Sequence, residues 1–164
     1  MFEASQYSGT REEQDQAVLS QLRGLIHGES SYVANLANAA ALLRFYLDEI
    51  NWVGFYLYDG QELVLGPFQG LPACIRIPLG KGVCGTSAER RETLRIDDVH
   101  AFPGHIACDA ASMSEIVVPI VKDGRLLGVL DIDSPIKNRF SEVHQVFLEQ
   151  FIAILTDQLP AEIG

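Results

Sequence analysis

Three cysteines, Cys74, Cys84 and Cys108, carry the widest chemistry in this chain. An odd thiol count with histidines and carboxylates nearby points to thiol chemistry rather than a disulfide framework. A thiol becomes a nucleophile when its thiolate is accessible and stabilised. Cys108 sits in a polar stretch from Val99 to Asp109, close in sequence to His100 and His105. Loop placement predicts that it is reachable. Cys84 follows Gly80-Lys81-Gly82 at the start of a short predicted helix. The helix N-terminus and Lys81 would both favour its thiolate. Cys74 falls on the edge of a predicted strand, the blandest setting of the three, where a cysteine can be a small buried hydrophobe. His100, His105 and Cys108 match zinc-ligand spacings weakly, because no C-x-x-C pair is present. No metal and no cofactor is expected.

Three carboxylates follow. Asp131 and Asp133 alternate with Leu130 and Ile132, so both point to one face of a strand. Two acids there are costly unless water solvates them or a ligand cation engages them. Asp133-Ser134-Pro135 also reads as a strand exit in water. Glu115 opens the partner strand, and register decides whether it joins the aspartates. A two- or four-residue loop puts Glu115 on the face opposite Asp131. A three-residue loop, Lys122-Asp123-Gly124 with Gly124 left-handed, pairs Val121 with Arg125 and sets Glu115 across from Asp131. The three-residue loop, with its bulge at Gly124, is the expected one. On an earlier strand Trp52, Gly54 and Tyr56 share a face, two aromatics around a glycine gap that could hold a small ligand. Packing under a neighbouring helix is the competing reading. Val53, Phe55 and Leu57 form the core face.

The elements that must position these groups read as follows. Residues 12–27 form a helix with Ala17, Leu19, Leu22 and Ile26 inward. Residues 31–48 form a second, lined by Val33, Leu36, Ala40, Leu43 and Leu47, with Ser30 or Ser31 as cap. Asn51 to Tyr58 and Glu62 to Phe68 form a hairpin across Asp59-Gly60. Cys74 to Ile77 is a short strand, Val83 to Arg90 a short helix, and Thr93 to Ile96 another strand. Residues 97–114 show neither period, which suggests a functional loop or lid. Glu115 to Val121 and Arg125 to Asp133 form a second hairpin. Ser141 caps a last helix ending near Leu159, with Val143, Val146, Phe147, Phe151 and Ile154 inward. The order implies an α+β domain, a mostly antiparallel sheet with the N- and C-terminal helices on one face. Residues 1–30 read as an N-terminal helical extension and 31–159 as the domain proper.

The 164 residues suffice for one domain, and 48% hydrophobic with 21% charged residues is a globular balance. A net charge of -10 repels phosphate backbones, so nucleic acid is not an expected partner. No apolar run reaches the roughly 18 residues of a membrane span, and the polar start lacks the order of a signal peptide. A cytoplasmic location is expected, where thiols stay reduced unless they are catalytic, sensing or metal-bound.

Five segments carry a resemblance: Asn51-Trp52-Val53-Gly54-Phe55-Tyr56, Leu65-Gly66-Pro67-Phe68-Gln69-Gly70, Gly82-Val83-Cys84-Gly85-Thr86, Gly104-His105-Ile106-Ala107-Cys108-Asp109 and Gly128-Val129-Leu130-Asp131-Ile132-Asp133-Ser134. Together they resemble the free methionine-(R)-sulfoxide reductases, enzymes built on a GAF domain, over about residues 30 to 156. The resemblance implies that Cys108 attacks the sulfur of free methionine sulfoxide and becomes a sulfenic acid. Glu115 and Asp133 would polarise the sulfoxide oxygen, one of them protonated. Asp131 would help hold the substrate through its ammonium, with Trp52 and Tyr56 around the methyl end. Cys84 or Cys74 would resolve the sulfenic acid to a disulfide, and a thioredoxin-type donor would reduce it. A homodimer through the N-terminal helices is also implied. The alternatives are a ligand-sensing GAF domain without turnover and a thiol redox sensor.

Overall fold

Polar side chains at the start of each long helix do what capping chemistry asks of them. Thr10 and Glu13 close a capping box before α1 (Arg11–Ile26), and Ser31 accepts from the Ala34 amide before α2 (Tyr32–Tyr46). Ser141 Oγ accepts from the His144 amide before α4 (Glu142–Asp157). Between them run β1 (Trp52–Tyr58), β2 (Glu62–Gln69), β3 (Arg76–Pro78), α3 (Gly82–Arg90), β4 (Leu94–Ile96), β5 (Ser114–Lys122) and β6 (Arg125–Ser134). This computed structural model describes every residue except Met1, Ser5, Ala107 and Gly164.

The six strands form one sheet in the order β3-β2-β1-β6-β5-β4, and each neighbouring pair is antiparallel. α1, α2 and α4 cover one face, where Val53, Phe55, Ile116, Val118, Leu130 and Ile132 meet Leu22, Leu36, Leu43, Phe147 and Phe151. α3 and the long loops cover the other face, over Trp52, Tyr56, Val117 and Val129. The α+β class and the shared face of the terminal helices are as expected. Among the described residues no helix is long and apolar enough to cross a membrane.

Several inward assignments need correction. Ala17 is exposed and Val18 is buried in its stead, because the α1 face runs through Val18, Leu19, Leu22 and Ile26. Val33 lies in the first turn of α2 and is exposed, as are Val143 and Val146 in α4. The buried row of α4 begins only at Phe147 and continues through Leu148, Phe151, Ile152 and Leu155; Ile154 sits at its margin. Helix α2 ends at Tyr46, and Leu47 is an extended but buried cap. The short strand near Cys74 begins at Arg76, so Cys74 lies in the loop before it.

The β5–β6 hairpin differs from the expected one in an instructive way. Its turn has two residues, Asp123 and Gly124, both at positive φ (50° and 77°), and Lys122 pairs with Arg125. That register alone would send Glu115 to the face opposite Asp131. A bulge then intervenes: Val121 pairs with Leu126 but Ile120 pairs with Gly128, leaving Leu127 as the extra residue. The parity flips, and Glu115 faces Asp133 across the ladder. The shared face stands, reached through a bulge three residues beyond the turn rather than one within it. At Gly128 the β1 backbone leaves no room for a side chain. A Cβ there would lie 2.2 Å from Tyr56 O.

Candidate active site

Period-two alternation on three adjacent strands builds the floor of the site. Trp52 and Tyr56 come from β1, Asp131 and Asp133 from β6, and Glu115 from β5. Asp133 lies opposite Trp52 on one side and Glu115 on the other, and Asp131 lies opposite Gly54. Glu115 and Asp131 are each 6% exposed, an unusual depth for acids to which no lysine or arginine among the described residues is bonded. From above, α3 lowers Cys84 onto them, and its Sγ donates to Glu115 Oε1 at 3.8 Å.

Two loops form the rim. The segment before β3 is held by the aromatic wall itself: Trp52 Nε1 donates to Leu71 O (3.1 Å) and the Tyr56 hydroxyl to Cys74 O (3.0 Å). The 97–114 loop contains a single helical turn, Val99–Ala101, and is anchored at its base. Val99 N donates to Met113 O, and Met113 N to Ser134 O. Asn51 Nδ2 donates to Asp109 Oδ2 (2.9 Å) and to Ser112 Oγ (3.1 Å), which fixes the stretch just after Cys108. A disulfide between Cys74 and Cys108 joins the two loops, with Cα atoms 5.8 Å apart. Beneath it lies a cavity of about 40 Å³, lined by Trp52, Tyr56, Cys84, Glu115, Asp131 and Asp133, with His105 and Asp109 toward the loop side. Ala107 of the loop motif lies outside the described residues.

Burial pushes Glu115 and Asp133 well above the usual carboxylate range, and the neighbouring Asp131 charge pushes both further. Burial also raises Asp131. Three acids in one dry pocket do not all ionise, so the floor holds at least one proton at neutral pH. Cys84 corrects an expectation. Its thiol is pushed well above the ordinary range, first by complete burial and then by Asp131 and Glu115. These outweigh the pull of the α3 N-terminus and of Lys81, and the thiol stays protonated. Burial, and then His100, lower His105.

All eight residues singled out in the sequence therefore meet at one cavity or on its rim. Cys74 lies in a loop rather than on a strand edge, and that loop carries it to Cys108. The glycine gap is not ligand space either. A Cβ on Gly54 would lie 2.3 Å from Phe68 Cβ and 2.8 Å from the Trp52 ring, so side chains already fill that gap. Trp52 stacks between Tyr56 and Phe68 there. Asn51, Asp109 and Ser112 had no assigned role in the sequence. Asn51 and Asp109 fall within the segments that carry the resemblance, and Ser112 had only its proximity to Cys108. His100, His105 and Cys108 do not assemble as a metal site, since Cys108 is bonded to Cys74 and the two rings stand 6.4 Å apart.

This fold recurs in known proteins. The GAF domain family matches residues 32–158. The chain is 56% identical to the free methionine-R-sulfoxide reductase of Escherichia coli over 131 residues, 80% of this chain and 79% of that protein. It is also 56% identical to Protein YtsP of Bacillus subtilis, across 97% of this chain and 99% of that one. The structure of free methionine-R-sulfoxide reductase from Neisseria meningitidis in complex with its substrate superposes with a TM-score of 0.89 at 44% identity, covering 94% of each chain. The chain belongs to the GAF-domain family, in its free methionine-R-sulfoxide reductase branch.

Proposed function

We propose that this protein reduces free L-methionine (R)-sulfoxide to L-methionine. The observation that carries the reading is the pairing of Cys108 with Cys74 directly above a pocket floored by Glu115, Asp131 and Asp133. In the reduced protein Cys108 attacks the sulfoxide sulfur. The S–O bond breaks, methionine leaves with two fewer oxidising equivalents, and the oxygen stays on Cys108 as a sulfenic acid. A sulfoxide oxygen is a poor acceptor of electron density until it is protonated or hydrogen-bonded. Glu115 and Asp133, raised by burial and by Asp131, are suited to hold that proton at neutral pH. Asp131 takes the substrate ammonium, and Trp52 with Tyr56 forms the wall around the methyl end.

Cys74 then attacks the sulfenic sulfur, water leaves, and the disulfide forms. The disulfide supports Cys74 rather than Cys84 as the resolving thiol, and the burial of Cys84 under α3 points the same way. A thioredoxin-type dithiol supplies the two electrons that return both thiols. The rim position of the disulfide, with Cys74 and Cys108 both half-buried, suits approach of such a donor.

The test is NADPH consumption with thioredoxin and its reductase, on separate R and S epimers of free methionine sulfoxide. R-specific turnover that disappears in Cys108→Ser supports the reading. Absence of turnover with either epimer, in folded and reduced protein, overturns it in favour of a sensing domain.

A further inference from the structure

Cys84 is left without a part in this chemistry, yet it is buried against the acids that the chemistry uses. Its Sγ, one oxygen of Glu115 and one of Asp131 all lie within 4.8 Å of one another. Among the described residues this is the one group of three such donors in mutual reach. Asp131 Oδ1 is buried and accepts no hydrogen bond from the described residues. A carboxylate oxygen at that depth calls for something positive beside it: a proton, a ligand ammonium or a metal ion.

One edge of the group has the length that the last of these requires. With metal–sulfur near 2.3 Å and metal–oxygen near 2.0 Å, a tetrahedral edge between S and O spans about 3.5 Å. Cys84 Sγ and Glu115 Oε1 stand 3.8 Å apart. We propose that Cys84, Glu115 and Asp131 form a binding site for a thiophilic divalent cation of the zinc class, with the fourth position open to the cavity. Binding forms one metal–sulfur and two metal–oxygen bonds and releases the thiol proton, together with the proton held between Glu115 and Asp131, to solvent. There is no redox change. One thiolate with two carboxylates selects zinc or cadmium over magnesium or calcium, which prefer all-oxygen sets of six or more ligands. The ion would occupy the pocket floor. That it then blocks turnover rests on the function proposed above, whereas the binding itself does not.

The test removes the rim thiols first, so that they cannot supply the sulfur. Reduced Cys74→Ser/Cys108→Ser protein is titrated with cadmium, following the sulfur-to-cadmium charge-transfer band, and with zinc by calorimetry. The expected result is a single ion per chain with the band present, and no competition from excess magnesium or calcium. In that background, Cys84→Ser abolishes the band. Glu115→Gln and Asp131→Asn each weaken zinc binding about tenfold or more, the scale of losing a ligand or its support. If Cys84→Ser does not fold by circular dichroism, the two carboxamide variants carry the test. No band in the double variant, a band that survives Cys84→Ser, or zinc affinity unchanged in both carboxamide variants would each overturn the site.

Discussion

At the scale of single residues, burial decides which group does what. Asp131 is the clearest case, because its raised pKa is also a statement about stability. A carboxyl raised in the folded state binds its proton more tightly there than in the unfolded chain. Its contribution is fully present below the ordinary carboxylate pKa and fades as pH rises through the folded value. Near neutral pH the acid floor therefore costs stability. Asp131→Asn is expected to raise the melting temperature at about pH 7, with the gain shrinking toward about pH 4, while KM for the sulfoxide rises. Melts across that range beside steady-state kinetics check it; a variant less stable at neutral pH contradicts it. The thiols separate by position in the same way. Cys74→Ser should leave a sulfenic acid on Cys108 after one turnover, trapped by a dimedone-type reagent. Cys84→Ser should still close the Cys74–Cys108 bond, and mass spectrometry distinguishes the two. Residue types and spacing drew attention to the eight candidate positions, and the roles proposed for them came from the family resemblance. The thiol reactivities were not legible, because a helix terminus is visible in sequence whereas the depth of burial opposing it is not.

At the scale of elements, the site depends on one extra residue in β6. The Asp-Gly turn was plain in sequence, and so was the alternation of Asp131 and Asp133. The bulge at Leu127 was not, since a bulge is a relation between two strands and leaves little trace in either alone. Gly128 is its nearest visible mark. Its missing side chain admits the Tyr56 carbonyl, and Gly128→Ala is expected to cost roughly 2 kcal/mol by forcing the β1 and β6 backbones apart. Urea denaturation measures this, and a neutral result would mean that the bulge relaxes freely. Because the same shift disturbs the Glu115–Asp133 alignment, activity should fall further than stability explains. The helices were legible as elements, yet their buried faces were misphased at Ala17, Val33, Val143 and Val146. An apolar residue in a first turn satisfies the pattern whether or not the helix has reached its packing partner.

At the scale of the whole molecule, one histidine joins the termini of the helical layer. Arg11 Nη1 from α1 and Arg139 Nη1 from the segment before α4 both donate to His144 Nε2, at 3.0 and 2.9 Å. Burial, and then Arg11 and Arg139, push His144 down to about 4, while Asp15 and Asp48 oppose this. A histidine depressed in the folded state takes up its proton more readily when unfolded. Stability is therefore lost as pH falls from its ordinary value of 6.5 toward about 4. His144→Gln, which keeps an acceptor and cannot charge, should flatten that acid limb of the stability profile. An unchanged slope would assign the limb elsewhere. This limb runs opposite to that of the acid floor, so the two together favour an intermediate pH.

The Cys74–Cys108 bond closes 34 residues of chain, a span that includes β3, α3 and β4. By chain entropy alone such a cross-link disfavours the unfolded ensemble by about 4 kcal/mol. Each catalytic round would therefore alternate a laced and an unlaced molecule. The unlaced one must open a cavity of about 40 Å³, room for a few waters, until it admits an entire amino acid. Protease sensitivity between residues 97 and 114 should then rise on reduction and fall on oxidation. The proposed cycle would leave the protein most exposed to degradation in the reduced state that is ready to work, and shielded by the disulfide that the cycle forms.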